Sequence, residues 1–584
     1  MGAHIRRCSI AAALRLFGMA VFCCVILLLP GPVVHAQSAG DTASSVTPDN
    51  FVPPLQNLDG AVVFTGATGT QAPPGSENIG ITLSGVRLNG GLPQMAQAGA
   101  ALEERLTRGR IPVAELFDAV AKLEEDYANA GFVLVRVVLP QQSLRDGGVL
   151  QVVVVNGFVE AVDKTNVPPE IERRLDRLTA PLVDRTDVTL AELERQLLLA
   201  GDTAGVSLGS ALGAGRAPGG TVLTLDPEYR KITGFFGFDN NVSDNLGALT
   251  LNSGVEFNSP FGFGETFYLR ASGTPDRFTS SDPRFRVLAA GFLMPLGTSG
   301  LALNGEVTAS DTKPDDPVAP TRSNFDRQSL RLIYPVIRSR QINVTTQVVL
   351  DRQHDRQDLI ANGGITPIYE DRTTALRFGG SANYVHADGA FSDVGAVLSQ
   401  GLDALGARGL DEVGGGTPLS RQGADAEFSK LSFSGFHQRA LAENVSLSVT
   451  ARAQFAFGDP LVTSEQFGLA GPRDLSGFDS GELRGDSGWI LRAEVAHRST
   501  VAVAAFPVVL SPYTFVAAGG VSIEEPTAVE RDSETAQSFG VGLDIIIQNE
   551  SRFRANSVRV ELAKGEREHG TDETRFSISG NFRF

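Results

Sequence analysis

Residues 443–457 read ENVSLSVTARAQFAF. Val445, Leu447, Val449, Ala451, Ala453, Phe455 and Phe457 take one parity, and Ser446, Ser448, Thr450, Arg452 and Gln454 take the other. Side chains alternate across a strand, so the stretch predicts a strand with one apolar and one polar face. Lipid outside and water inside would suit it to a membrane barrel. A secreted β-sandwich alternates too, so one strand does not choose between them.

The same pattern runs from about residue 230 to the end. About sixteen strands are expected there, among them 325–337, 340–353, 369–386, 442–457, 486–502 and 572–584. The last stretch, RFSISGNFRF, sets Phe576, Ile578, Phe582 and Phe584 against Ser577, Ser579, Asn581 and Arg583. Connections alternate between long and short: TKPDDPVAPTRSN is followed by a tight turn near 338, and about twenty residues from 404 by one near 441. Long loops on one side, short turns on the other and an even strand number are features of outer-membrane barrels. Sixteen strands leave room for an aqueous lumen. The fold class expected is a transmembrane β-barrel over 229–584, with one long loop, 458–485, rich in glycine and charge.

Upstream, the period changes. VAELFDAVAKLEEDYANAGF (113–132) puts Val113, Leu116, Phe117, Val120, Leu123 and Tyr127 on one helical stripe, with Pro112 at its start and Gly131 at its stop. VLVRVVLP and GGVLQVVVVNGFVEAV follow as strands, then a helix pair at EIERRLDRL and LAELERQLLLAG, then two more strands. This predicts two β-α-α-β-β modules, 78–157 and 158–228, each of a size to fold alone. Residues 37–77, rich in Pro, Ser and Thr, read as a periplasmic linker without a plug helix.

Residues 1–36 read as a signal peptide: Arg6, Arg7 and Arg15, a short apolar core, then Val34-His35-Ala36. The core is short for a membrane anchor, and Cys23 and Cys24 lie inside it rather than after a lipobox. Cys8, Cys23 and Cys24 are the only cysteines, so the remaining chain has no thiol chemistry. Losing the three arginines takes the net charge from −17 to −20, which disfavours a nucleic-acid partner.

Motifs of catalysis lack their context. GVSLG (205–209) matches a nucleophile elbow but sits among strand candidates rather than in a strand-turn-helix. GAGRAPGG (213–220) breaks the dinucleotide pattern. His354, His386, His437, His497 and His569 show no metal spacing. No enzyme, metal or cofactor is expected.

AGFVLVRVVLPQQSLRDGGVLQVVVVNG (130–157) resembles the first POTRA domain of two-partner secretion transporters of the haemolysin secretion/activation (ShlB/FhaC/HecB) type. FFGFDNN and NSPFGFGE resemble the start of that family's barrel, and EQFGLAGPRDLSGF its Val-Arg-Gly-Phe/Tyr loop motif. The resemblance implies an outer-membrane polypeptide transporter with periplasmic POTRA modules, passing a large adhesin, haemagglutinin or haemolysin to the surface. A barrel-assembly or lipid-exporting relative and a passive porin are the alternatives. Porins lack the two modules, and two modules rather than five disfavour the assembly relative. No ATP is available at that membrane, so cargo folding outside would bias direction.

The resemblance also implies roles for residues. Phe132, Leu134, Leu139, Pro140 and Gln142 would bind cargo at the first module. Phe576, Phe582 and Phe584 would be read by the barrel assembly machinery, and outer-membrane lipid would surround the barrel. The long loop would fold into the lumen with Arg473, Leu475, Ser476, Gly477 and Phe478 at its tip, bracing strands 11 to 13. This chain departs from the family in having Ser476 where the tip arginine stands and Ala517 where its acidic wall partner stands. Arg492, Glu494 and Ala517 are candidate wall contacts, with Arg473 or Arg484 as substitutes against Glu494.

Overall fold

The computed structural model describes residues 41–54, 63–64, 72–316, 320–361, 364–503, 506–547 and 553–584. The signal peptide and its cysteines lie outside these residues.

The first module runs β1 (Gly80–Asn89), α1 (Ala96–Thr107), β2 (Arg110–Pro112), α2 (Val113–Asn129), β3 (Arg136–Val138) and β4 (Gly148–Val155). Its sheet order is β2-β1-β4-β3, with β1 and β4 parallel. The expected stripe of α2 forms the core: Leu116, Val120, Leu123 and Tyr127 are buried with Leu102, Leu150 and Val152.

The second module repeats the plan with β5 (Phe158–Asp163), α3 (Pro169–Thr179), α4 (Leu190–Gly201), β6 (Val206–Ala214) and β7 (Gly220–Tyr229). A capping box opens α4: Thr189 Oγ1 accepts from the Glu192 amide while the Glu192 carboxylate accepts from the Thr189 amide. Ser207 of the GVSLG motif lies within β6, so the elbow geometry is absent.

Sixteen strands close an antiparallel barrel. They are β8 (Ile232–Asp239), β9 (Thr250–Asn258), β10 (Thr266–Gly273), β11 (Phe285–Pro295), β12 (Ala302–Thr312), β13 (Thr321–Arg338), β14 (Ile342–Ala361), β15 (Gly364–Val385), β16 (Phe391–Gly401), β17 (Ser429–Ala442), β18 (Val445–Phe455), β19 (Ser487–His497 continuing as Ser499–Val503), β20 (Phe506–Ser522), β21 (Ser533–Ile547), β22 (Asn556–Arg567) and β23 (Glu573–Arg583). In β18 the parity is as read: Arg452 and Gln454 bond to the inward-folded loop, and Phe455 is exposed outside. The seam is short, with β23 and β8 paired only from Ser579↔Asp239 to Arg583↔Phe235. Above it the Asn240 side chain stands in for a strand, donating to Phe576 O and accepting from the Ile578 amide. Phe582 stacks on Phe238 across the seam, and Phe584 exchanges backbone hydrogen bonds with Gly234.

One expectation fails in an informative way. Residues 354–368 carry no apolar alternation and read as a loop, yet β14 and β15 continue through them as one hairpin. These ends are polar on both faces. Inside, Asp355 is buried opposite Asp371; outside, Glu370 pairs with Arg372 (2.6 Å) and with His354 (3.1 Å).

The second module docks on the periplasmic turns. Arg338 grips Asp202 through two hydrogen bonds of 2.6 and 3.0 Å, and Arg195 donates to the carbonyls of Ser299, Pro335 and Val336. Burial pushes the Asp202 pKa up, opposed by the Arg338 guanidinium. Leu134 couples the modules, since it is buried in the core of the second one with Val159, Ile171 and Leu193.

Candidate functional site

The loop between β18 and β19 turns inward. Its base is held by Glu465, 1% exposed, whose carboxylate meets Arg377 at 2.6 Å and Lys430 at 2.8 Å. A two-residue ladder, Phe467–Gly468 against Arg484–Gly485, makes a stalk. At the far end Leu475 and Phe478 are buried against Ile490, Tyr513, Phe515, Ala517 and Ala563, inward residues of β19, β20 and β22. With Arg452 of β18 bonded to Asp474, the tip braces strands 11 to 15 of the barrel, two more than the expected 11 to 13.

Two glycines let it approach. A Cβ on Gly477 would lie 2.4 Å from the Gly565 amide nitrogen and 2.7 Å from its Cα. A Cβ on Gly565 would lie 2.7 Å from the Phe478 ring. Gly477 donates its amide to Ser538 Oγ at 3.0 Å.

The charge missing from the tip is supplied by the wall. Arg492, fully buried on β19, donates to Ser476 Oγ (2.8 Å) and to the Asp474 carbonyl (3.2 Å). It also bonds Glu561 Oε2 (2.7 Å) and Glu494 Oε1 (2.7 Å), and stacks 3.6 Å from the Phe515 ring centroid. Tyr513 OH donates to the same Glu561 oxygen at 2.7 Å, and Arg559 reaches Glu494 at 2.8 Å. Ala517 is the cross-strand partner of Arg492 and packs in the apolar cluster. Glu494 thus serves Arg492 and Arg559. Arg473 is exposed within the loop and Arg484 is half-buried in the stalk, and neither forms an ion pair with Glu494 among the described residues.

The tip also meets the seam: Arg575 of β23 donates to Phe478 O (2.9 Å), pairs with Asp479, and bonds Asn240 O on the other side. Sequence reading missed Glu561, Gly565, Ser538 and Arg575. For Glu561 and Gly565 the signal was an inward parity of small and charged residues in RVELAKGER (559–567), which does not by itself name a partner.

A second segment shares the lumen. Residues 41–54, read from composition as periplasmic linker, run along the inner wall, so that assignment does not hold for them. Ala43, fully buried, donates its amide to Ser323 Oγ (3.2 Å), Thr312 Oγ1 donates to Asp41 O (2.8 Å), and the Phe51 amide donates to Glu306 (3.0 Å). A single α-helical turn, Ala43–Val46, is the only α-helix among the described residues 41–54. A segment without an apolar stripe fits because the barrel's polar inner face satisfies its backbone. Deleting 41–54 is expected to raise single-channel conductance in planar bilayers; unchanged conductance would mean that the segment does not obstruct the pore.

Of the residues assigned to cargo binding, Leu134 offers no surface, being buried between the modules. Phe132 packs edge-on against Tyr127 at 6.4 Å. Gln142 uses both ends of its amide on the Gln151 backbone at 2.8 Å, extending the sheet where β3 stops. Leu139 is half-buried and Pro140 exposed, next to the edge strand β3.

A closed sixteen-stranded barrel with two docked α/β modules and an inward loop defines a POTRA-bearing outer-membrane barrel protein. The family model of haemolysin secretion/activation proteins ShlB/FhaC/HecB matches residues 219–545, and that of the ShlB-type POTRA domain matches 81–157. The chain belongs to this family, and its POTRA modules lie in the periplasm. It is 25% identical over 380 residues to the outer membrane transporter CdiB of Escherichia coli O6:K15:H31, a match covering 64% of this chain and 61% of that one. To the heme/hemopexin transporter protein HuxB of Haemophilus influenzae it is 19% identical, covering 66% of each. The solved structure of CdiB from Escherichia coli superposes with a TM-score of 0.67 at 19% identity, over 88% of this chain and 92% of that one. CdiB from Acinetobacter baumannii gives 0.59 at 15%, over the full length of both.

Proposed function

We propose that the chain exports a large exoprotein, of adhesin, haemagglutinin or haemolysin type, from periplasm to surface by two-partner secretion. The observation that carries this reading is the pairing of periplasmic modules docked at one mouth with a lumen occupied by an inward-folded loop. A porin needs no receptor, and a lumen filled by the chain's own segments is a poor solute path. The POTRA edge strands would capture extended cargo by strand addition, with Leu139 and Pro140 beside β3 as the nearest side chains. The loop and residues 41–54 would leave or shift to admit it. The barrel assembly machinery would insert the barrel through the strand that carries Phe576, Phe582 and Phe584.

The test is a secretion assay. The gene is deleted from its host, and any very large exoprotein encoded beside it is followed by immunoblot in medium and periplasm. Loss from the medium, restored by complementation, is expected. Unchanged export with altered small-solute uptake would favour a porin and overturn the reading.

A further inference from the structure

Outside the barrel, on β10 to β15, the outward face changes from apolar to charged at one level. Leu330, Val348 and Phe378 are exposed apolar residues of the lipid belt. On β15 the belt spans eight residue steps from Leu376 to Tyr384, which is about 26 Å of strand and roughly 20 Å of height at the usual tilt, most of an apolar band of ~25 Å. Directly above it Gln328 and Arg352 stand abreast beside the fully buried Thr374, and two residues higher Asp326, His354 and Arg372 stand abreast. These rows lie on the side of the long loops, at the headgroup level of the outer leaflet.

A groove of about 990 Å³ leads to them, its apolar part formed by small Ala271, Ala290 and Ala309 alternating with larger Leu288 and Val307. Its polar end holds Arg352, His354 and Arg372. Asp326, the one acid lining the groove among the described residues, stands on β13 beside His354, and Glu370, outside the lining, is bonded to Arg372 and His354. Among the described residues no carboxylate lies within ion-pair distance of Arg352. An apolar trough rising to an arginine without an ionic partner has the form of an amphiphile site, and a guanidinium suits a phosphate as its counter-ion.

We infer that this groove binds a phosphorylated glycolipid of the outer leaflet, with an acyl chain in the alanine-floored trough and a lipid A phosphate on Arg352. The full chain, delipidated in detergent, is titrated by native mass spectrometry with bisphosphorylated lipid A, dephosphorylated lipid A and phosphatidylglycerol. One lipid A per barrel is expected, at least tenfold tighter than either other lipid. Arg352→Glu should weaken it at least tenfold, and so should Ala290→Trp, which fills the trough. Arg439→Glu, on the periplasmic part of the outer face, should leave it unchanged. Heat-modifiable migration verifies folding, and Arg352→Gln replaces Arg352→Glu if the latter fails to insert. Equal binding by the Arg352 variant, or a match from dephosphorylated lipid A or phosphatidylglycerol, overturns the inference.

Discussion

Arg492→Met is expected to free the loop tip, reducing secretion more than tenfold and lowering barrel stability by about 3–5 kcal/mol, the usual cost of breaking one side of a buried ion pair. The guanidinium is the hub of four contacts: Ser476 Oγ, the Asp474 carbonyl, Glu494 and Glu561. Without it Glu561, 3% exposed, keeps Tyr513 and a longer contact to Arg559 at 3.3 Å. Ser476→Arg alone should also be harmful, since it places a second guanidinium where the first already bonds. Combining Ser476→Arg with Arg492→Ala should recover function, because the charge is returned to the tip with Glu561 as its partner. Coupling of this kind is measured by a double-mutant cycle on melting and secretion. Additive losses, or a silent Arg492→Met, would show that Arg492 does not hold the loop.

The barrel was legible because lipid imposes an alternation that water does not. Val445 to Phe455 carry it, and the strand count and loop asymmetry follow. The charged ends of β14 and β15 were not legible, because above the membrane both faces meet polar surroundings and the period-2 signal disappears. The loop's inward fold was suggested by resemblance, whereas its anchor was hidden. Arg492 belongs to an ordinary alternating strand, and its partners Glu494, Glu561 and Ser476 lie 2, 69 and 16 residues away in sequence. Lumen networks join residues that share only parity, and parity names a face without naming a neighbour. The same limit hid residues 41–54, whose fit depends on polar wall groups such as Ser323, Thr312 and Glu306 rather than on any pattern of their own.

Gly477→Ala is the smallest change expected to expel the tip. Its methyl would meet backbone atoms, at 2.4 Å for the Gly565 nitrogen, 2.7 Å for its Cα and 2.8 Å for the Lys564 carbonyl carbon. A closed barrel strand cannot yield as a side chain does, so the loop must move, losing the burial of Leu475 and Phe478 and the Ser538 hydrogen bond. Overpacking usually costs about 1–3 kcal/mol, and here it falls on a segment free to swing outward. Gly565→Ala differs, because the three nearest atoms the methyl would meet all belong to the Phe478 ring, at 2.7 to 2.9 Å. Truncating that ring should therefore rescue it: Gly565→Ala with Phe478→Leu should regain most of the melting temperature, while Gly477→Ala with Phe478→Leu should not. Because Arg575 ties Phe478 and Asp479 to the Asn240 end of β8, expulsion should also loosen the seam. A cysteine placed at Ser480 should then react with an impermeant maleimide on intact cells in the Gly477→Ala background and remain protected without that substitution. Equal labelling in both would mean that the tip is open to the surface already, and that Gly477 sets no limit on where the loop rests.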